Sequence, residues 1–546
     1  MLNTHMTMAE AFSQVAEQRR DQEALVCGEA RFTYGQLLDH VHALAGRLVD
    51  IGIRKGDKVA ALLTPGFDFA CLFFALSEIG GVIVPLNPLF RPHSLGHILE
   101  DADPVMIVTI HPVEDILISR IPSLKHVINV RDGNGLISSL PDLISPKKTS
   151  TLPSPDVSPD DLLALLYTSG TTGDPRGTMH SHRSLITPIV ATIKIRELWL
   201  HRPNLKTIGQ TAKALVRYKA RLLQAAGRPQ TFLSTVSWHT ISGVELMLQG
   251  LLMGDKLIVM TRFHPREALQ LVETERATVL IAVPTAFQAI LNVDGFDEFD
   301  TSSLLICGTG SMPCPPDLAR QLQKRFGCAV HIGFGSTETA GGIAISSIAD
   351  SDEQQATTVG RPLPGMEIRI VDDKRVELPA GQIGELACRS DSVMLGYYHS
   401  SGTTSDVIDG DGWYYTGDLA KMDENGYIRI VGRKKDMIIR GGQNIFPAEI
   451  EGFLITHPKI REAAVVGLPS LVGGEEAWAF ILLKDGEQMV PREVLDFCRA
   501  HLEPYKIPNK VRFVTDFPRS ETGKPQKFKL REDILNEKGE KYNHDR

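Results

Sequence analysis

Tyr167-Thr-Ser-Gly-Thr-Thr-Gly-Asp-Pro-Arg-Gly177 is the stretch on which the reading of this 546-residue chain turns. It follows the apolar run Leu162-Leu-Ala-Leu-Leu166, whose length and composition predict a buried strand. A loop of small and hydroxylated residues, Ser169 to Gly173, leaving such a strand can wrap its amides and hydroxyls around an anionic group. That points to phosphate, and through phosphate to a nucleotide. A Walker-type loop is excluded, because it needs Gly-Lys-Ser or Gly-Lys-Thr opening a helix. Neither tripeptide occurs in the chain, and the Gly required after Gly170 falls on Pro175. Taken alone, the run still allows a surface turn.

The composition, 42% hydrophobic and 23% charged, is that of a globular enzyme, and the length implies two or more domains. A net charge of -8 argues against a nucleic-acid partner, whose footprint is a basic excess. Seven dispersed cysteines without a Cys-x-x-Cys pair argue for a reducing compartment and against a disulfide framework or structural zinc. Met1 to Gln22 lacks a secretory signal pattern, and no apolar run approaches membrane-spanning length. A cytoplasmic protein with no integral membrane segment is expected.

The first half alternates strand-like and helix-like segments, which predicts an α/β fold of parallel-type sheets covered by helices. Thr33 to Gln36 reads as a capping box opening a helix through Leu48. Strands are expected at Lys58–Leu63, Val82–Val84, Val105–Val108, Leu257–Met260, Thr278–Ala282, Leu304–Cys307 and Ala329–Ile332. Helices are expected at Phe67–Ile79, Pro265–Thr274, Pro284–Leu291 and Pro316–Phe326. The Pro/Ser/Asp-rich stretch Ser145–Asp161 reads as a connector. From Val359 a small β-rich subdomain follows, and beyond Gly432 a separate α+β C-terminal domain begins. The expected division is therefore 1–432 and 433–546. Arg196 to Arg228 is rich in Lys and Arg, with Leu215, Tyr218 and Leu222 at helical spacing. It reads as a docked surface helix, the alternative being one that meets membranes or acidic partners.

Further runs suit a nucleotide. Gly333-Phe-Gly-Ser-Thr-Glu338 follows a strand and ends with a hydroxyl beside a carboxylate, suited to a phosphate oxygen and to Mg²⁺. Trp413-Tyr-Tyr-Thr-Gly-Asp418 puts a carboxylate at a turn, able to accept bonds from a ribose diol. Pro518-Arg-Ser-Glu-Thr-Gly-Lys524 carries a lysine able to meet growing phosphate charge.

Together with Ser237-Trp-His239, Val283-Pro-Thr285, Gly360-Arg-Pro362, Gly432-Arg-Lys-Lys-Asp436, Gly441 to Glu449 and Tyr505-Lys-Ile-Pro508, these runs stand in one order along nearly the whole chain. In that order the chain resembles the AMP-forming, acyl-adenylate-producing superfamily of acyl-CoA synthetases, peptide-synthetase adenylation domains and beetle luciferases. The resemblance implies a large N-terminal domain hinged to a small mobile one. It implies that a carboxylic acid attacks MgATP to give an acyl-adenylate and pyrophosphate, and that CoA then takes the acyl group and releases AMP.

The implied ATP site comprises Thr168, Ser169, Gly170, Thr171, Thr172, Gly173 and Arg176, with Gly310, Gly333, Phe334, Gly335, Ser336, Thr337, Asp418, Ile430, Arg433 and Lys524. Within it Thr337 meets the α-phosphate, Glu338 the magnesium, and Asp418 with Arg433 the ribose. Lys524 stabilises the adenylation transition state, and Lys435 is the hinge. Gly441, Gly442 and Gln443 approach the CoA thiol. Trp238, His239, Gly243, Thr309 and Gly335 line the acyl pocket, with His239 near the reacting carboxylate.

The chain departs from the family pattern in three places: Arg176 replaces the loop's usual lysine, Ser470 an aspartate, and the stretch between His182 and His239 is longer. Gly and Thr rather than charge in the pocket lead to a medium-chain or cyclic carboxylate. The alternatives are a stand-alone enzyme loading a carrier protein and a non-catalytic nucleotide sensor. A monomer or homodimer is expected, and the direction of the cellular reaction stays open.

Overall fold

The computed structural model describes residues 2–90, 92–130, 156–168, 175–200, 228–440, 443–470, 474–519 and 525–544. The Thr33 capping box forms as the sequence predicts. Thr33 Oγ1 accepts from the Gln36 amide at 3.2 Å, Gln36 Oε1 accepts from the Thr33 amide at 2.8 Å, and the helix runs Tyr34–Asp50. The helix Phe67–Ile79 is apolar almost all round and is accordingly buried on nearly every side. It stacks Phe74 on Phe12 of the first helix, with ring centroids 4.0 Å apart.

Contacts group the chain into two compact units, Met1–Glu367 with Cys388–Tyr414, and Ile368–Ala387 with Tyr415–Arg546. Among the described residues the larger unit holds two mixed sheets. Across the seven-stranded one the order is Gly396–Tyr397, Arg176–Ser181, Leu162–Thr168, Val82–Pro85, Lys58–Leu62, Met106–Thr109 and His126–Asn129. Across the nine-stranded one it is Arg361–Pro362, Gly341–Ile345, Ala329–Ser336, Ile306–Thr309, Val279–Ile281, Thr231–Ser234, Lys256–Val259, Glu23–Cys27 and Ala30–Thr33. The central strands pair in parallel, and antiparallel pairs occur toward the edges.

In the smaller unit, Ile460–Pro469, Glu475–Leu483 and Lys510–Phe513 form a three-stranded sheet whose alternating side chains feed two cores. Val465, Ala479 and Ile481 pack with Ile450, Leu454 and Val494 of two helices, while Val466, Phe480 and Leu482 pack with Leu530 and Ile534 of the last helix. The four-stranded sheet of Glu367–Val371, Gly384–Arg389, Tyr414–Met422 and Ile428–Arg433, which the sequence attached to the N-terminal block, groups by contact largely with this unit.

Two strand expectations need correction. The strand predicted at Leu304–Cys307 lies at Ile306–Thr309, and the one predicted to stop at Ile332 continues to Ser336. The glycines at 333 and 335 masked that continuation, since strand propensity is low for Gly. Most of the predicted connector, and residues 201–227 of the basic segment with Leu215, Tyr218 and Leu222, lie outside the described residues. The flanks of the basic segment meet at one buried carboxylate. Arg196 reaches both oxygens of Asp255 at 3.0 and 2.7 Å and donates to the Arg228 carbonyl at 3.2 Å, while the Gln230 amide bonds Asp255 Oδ1 at 2.7 Å. Among the described residues no helix is long and apolar enough to cross a membrane.

Replacing Asp255 by Ala leaves the Arg196 guanidinium without its buried partner and should lower unfolding free energy by about 3 kcal/mol. Urea denaturation of both proteins measures this.

Candidate active site

Strands Leu162–Thr168 and Arg176–Ser181 are antiparallel neighbours, with Thr168 opposite Arg176. They frame the glycine-rich run, whose Ser169, Gly170, Thr171, Thr172 and Gly173 lie outside the described residues. The run therefore joins strand to antiparallel strand, whereas a Walker loop opens a helix. Thr168 Oγ1 and the Arg176 carbonyl close the frame at 3.5 Å.

In the other sheet Ile306–Thr309 and Ala329–Ser336 run parallel, and the chain beyond their carboxyl ends is where α/β sheets present ligand-binding groups. Thr309 ends one strand, with Gly310 next in the chain, and Gly333, Phe334, Gly335 and Ser336 end the other. The chain then turns through the short helix Thr337–Thr339 and folds back as Gly341–Ile345, with Ser336 opposite Gly341. Gly335 is required there, because a Cβ would stand 1.8 Å from the Gly341 carbonyl oxygen.

Glu338 sits on this turn and is gripped twice. The Tyr397 hydroxyl donates to its Oε1 at 2.9 Å, and the Met394 amide donates to its carbonyl at 2.7 Å. Among the described residues no group of three or more His, Cys, Asp or Glu is arranged to hold a metal ion. A lone carboxylate nonetheless fits Mg²⁺, which takes few protein ligands and completes its shell with water and phosphate oxygens.

The helix Ile241–Leu252 faces this turn. Thr240 caps it, accepting from the Gly243 amide at 3.3 Å, and a Cβ on Gly243 would fall 2.1 Å from the Ser237 carbonyl oxygen. Trp238 is fully buried edge-on to Phe69, with centroids 5.6 Å apart. His239 lies with its ring 6.5 Å from Phe90, and burial pulls its imidazole down to about 4, so it is neutral at pH 7. Thr309 is buried as well.

Sequence reasoning missed Glu245 and Tyr397. Glu245 Oε1 accepts from the Gly342 amide at 3.1 Å, tying the helix to the Glu338 hairpin, and burial pushes its carboxyl up to about 7. The available signal was a single charge in an otherwise apolar helix, Ile241-Ser-Gly-Val-Glu-Leu-Met-Leu.

In the smaller unit Asp418 and Arg433 are opposite partners on antiparallel strands and form an ion pair at 2.9 Å, with Asp418 nearly buried. Ile430 stands in the same ladder, opposite Ala420. Lys435 lies in the short turn Lys434–Asp436, where burial lowers its amine pKa. Neighbouring Lys434 is anchored to Glu385 and Asp373, each at 2.9 Å. Gln443 is exposed and pairs with Arg440, whereas Gly441, Gly442 and Lys524 lie outside the described residues.

The profile of AMP-binding enzymes matches residues 12–398, and that of the AMP-binding enzyme C-terminal domain matches residues 449–524. The chain belongs to the AMP-binding enzyme family. Like the acyl-CoA ligases among its relatives, it is an AMP-forming acid–thiol ligase. YngI of Bacillus subtilis is 33% identical, with 97% of each chain covered. The human mitochondrial medium-chain acyl-CoA ligase ACSF2 is 31% identical, over 97% of this chain and 87% of that protein. Among solved structures, the anthranilate CoA ligase AuaEII in complex with anthranoyl-AMP superposes with a TM-score of 0.83 at 26% identity, covering 98% of this chain and 99% of that one.

Two outcomes follow for this AMP-binding enzyme. Gly335→Ala should break the hairpin that carries Glu338 and abolish ATP-dependent activation of any acid, read as loss of pyrophosphate release. Glu245 titrates near 7 when folded, against 4.5 for the free side chain, so the native state holds the extra proton between those values. Stability should therefore fall as pH rises through that window, and Glu245→Gln should flatten the slope in urea midpoints.

Proposed function

We propose that this ligase activates medium-chain or cyclic carboxylic acids and passes the acyl group to CoA. The observation that carries the reading is the meeting, in the larger unit, of the Thr168/Arg176 frame of a glycine-rich run with the Glu338 hairpin, both held by the segment around Tyr397. The substrate range is supported by ACSF2, a medium-chain ligase, by AuaEII, whose complex holds anthranoyl-AMP, and by the uncharged Gly243, Thr309 and Gly335. The seven cysteines, all free thiols, suit a reducing cytoplasm.

In the first step a carboxylate oxygen attacks the α-phosphorus of ATP, the bond to the β-phosphate oxygen breaks, and pyrophosphate leaves. Thr168 to Gly173 with Arg176 hold the departing phosphates, and Thr337 holds the α-phosphate. Glu338 would hold Mg²⁺, whose charge would offset that of the phosphate oxygens. Gly310 and Gly333 to Ser336 border the nucleotide, with Ile430 against it and Asp418 and Arg433 on the ribose diol. Lys524 stabilises the charge that grows on the α-phosphate.

A neutral His239 beside the acid avoids cationic competition for the carboxylate, while Trp238 backs the acyl pocket. In the second step the CoA sulfur attacks the acyl carbon, the acyl–oxygen bond breaks, and AMP leaves. For this step the domain beyond 432 turns about Lys435, bringing Gly441, Gly442 and Gln443 toward the thiol and withdrawing Lys524.

Incubation with ATP, Mg²⁺ and a panel of acids should give pyrophosphate only when an acid is present, and an acyl-CoA only when CoA is added. Release without acid, or no thioester from any acid, contradicts the ligase. Lys524→Ala should abolish adenylation yet form thioester from supplied acyl-adenylate, and equal loss in both steps contradicts its assigned role.

A further inference from the structure

The segment Met394–Tyr398 touches both halves of the phosphate site in the larger unit. Its Leu395 and Tyr398 amides donate to the Met179 and Gly177 carbonyls at 2.9 and 2.8 Å, which sets Tyr397 opposite Thr178. Arg176 lies two residues from Thr178, hence on the same face of the strand and diagonal to Tyr397. Its guanidinium stands 5.8 Å from the centre of the Tyr397 ring, within reach of a cation–π attraction. The other end of the same ring bonds Glu338 Oε1 at 2.9 Å, while the Met394 amide holds the Glu338 backbone.

We propose that Tyr397 is a positioning residue that couples Arg176, the cation closing the phosphate loop, to Glu338, so that the polyphosphate and metal sites are set as one unit. This rests on the reading of Glu338 as the magnesium carboxylate. With Oε1 accepting from the hydroxyl, Oε2 is the oxygen that would be left for the metal. The arrangement also gives a reason for arginine at 176, because a planar guanidinium packs against a ring in a way that a compact ammonium does not. A carboxylate ligand oriented by an outer hydrogen bond loses metal affinity when that bond is removed, by roughly tenfold or more.

The test is equilibrium binding to the full-length protein of ATP with Mn²⁺, followed by electron paramagnetic resonance, and of ATP in EDTA, followed by calorimetry. The wild type, Tyr397→Phe, Arg176→Lys and the double variant are compared. Tyr397→Phe should weaken Mn²⁺–ATP roughly tenfold and leave metal-free ATP unchanged. Arg176→Lys should lower the gain conferred by metal in the wild type and lower it no further in the Tyr397→Phe background, where the link is already cut. Equal weakening with and without metal, or independent losses that multiply, overturns the coupling. Should Tyr397→Phe not fold, an unchanged metal gain in Arg176→Lys overturns it alone. A wild type with no metal gain removes the Glu338 reading itself, and the coupling with it.

Discussion

A few backbone hydrogen bonds at Met394 to Tyr398 fix the geometry on which the candidate site depends. On one side they extend the seven-stranded sheet by pairing with Gly177 and Met179, and on the other they reach the Glu338 carbonyl. The two sheets of the larger unit belong to different hydrogen-bonded ladders, so they share no backbone register. A short segment paired with one sheet and bonded to the turn beside the other therefore links the phosphate-loop frame to the Glu338 turn. Main-chain bonds suit that task, since neither partner can be moved by a rotamer change.

The glycines give this arrangement its close contacts. Without a Cβ at 335 the Gly341 strand returns at contact distance and delivers Glu338 at the tip of a tight hairpin. Glu245, bonded to the Gly342 amide, then fastens the helix that carries Gly243 to the same hairpin. Helix, hairpin and the Met394–Tyr398 segment are thereby tied into one framework, an arrangement that suits a reaction in which a weak nucleophile must be aligned with a phosphorus.

Regular packing made most of the fold legible in the sequence. The helices Phe67–Ile79, Pro265–Thr274, Pro284–Leu291 and Pro316–Phe326 lie where the sequence put them, the first as a largely apolar run and the other three opening on a proline. Legibility was lost where backbone approach replaces side-chain packing. Glycines hid the strand through Ser336, and the grouping of the four-stranded sheet depends on long-range contacts that no local pattern encodes. In the smaller unit, Asp418 and Arg433, which the sequence singled out together, meet as cross-strand partners. Tyr397 was not legible, because its meaning comes from an antiparallel pairing with a strand more than two hundred residues earlier.

The central claim is that the acid is activated as an acyl-adenylate. Turnover of an acid carrying ¹⁸O in both carboxylate oxygens tests it most directly, with mass analysis of every phosphorus product. Attack of the carboxylate on the α-phosphorus places one acid oxygen in AMP and none in pyrophosphate. Label in pyrophosphate or inorganic phosphate, or AMP formed without label, would contradict the account.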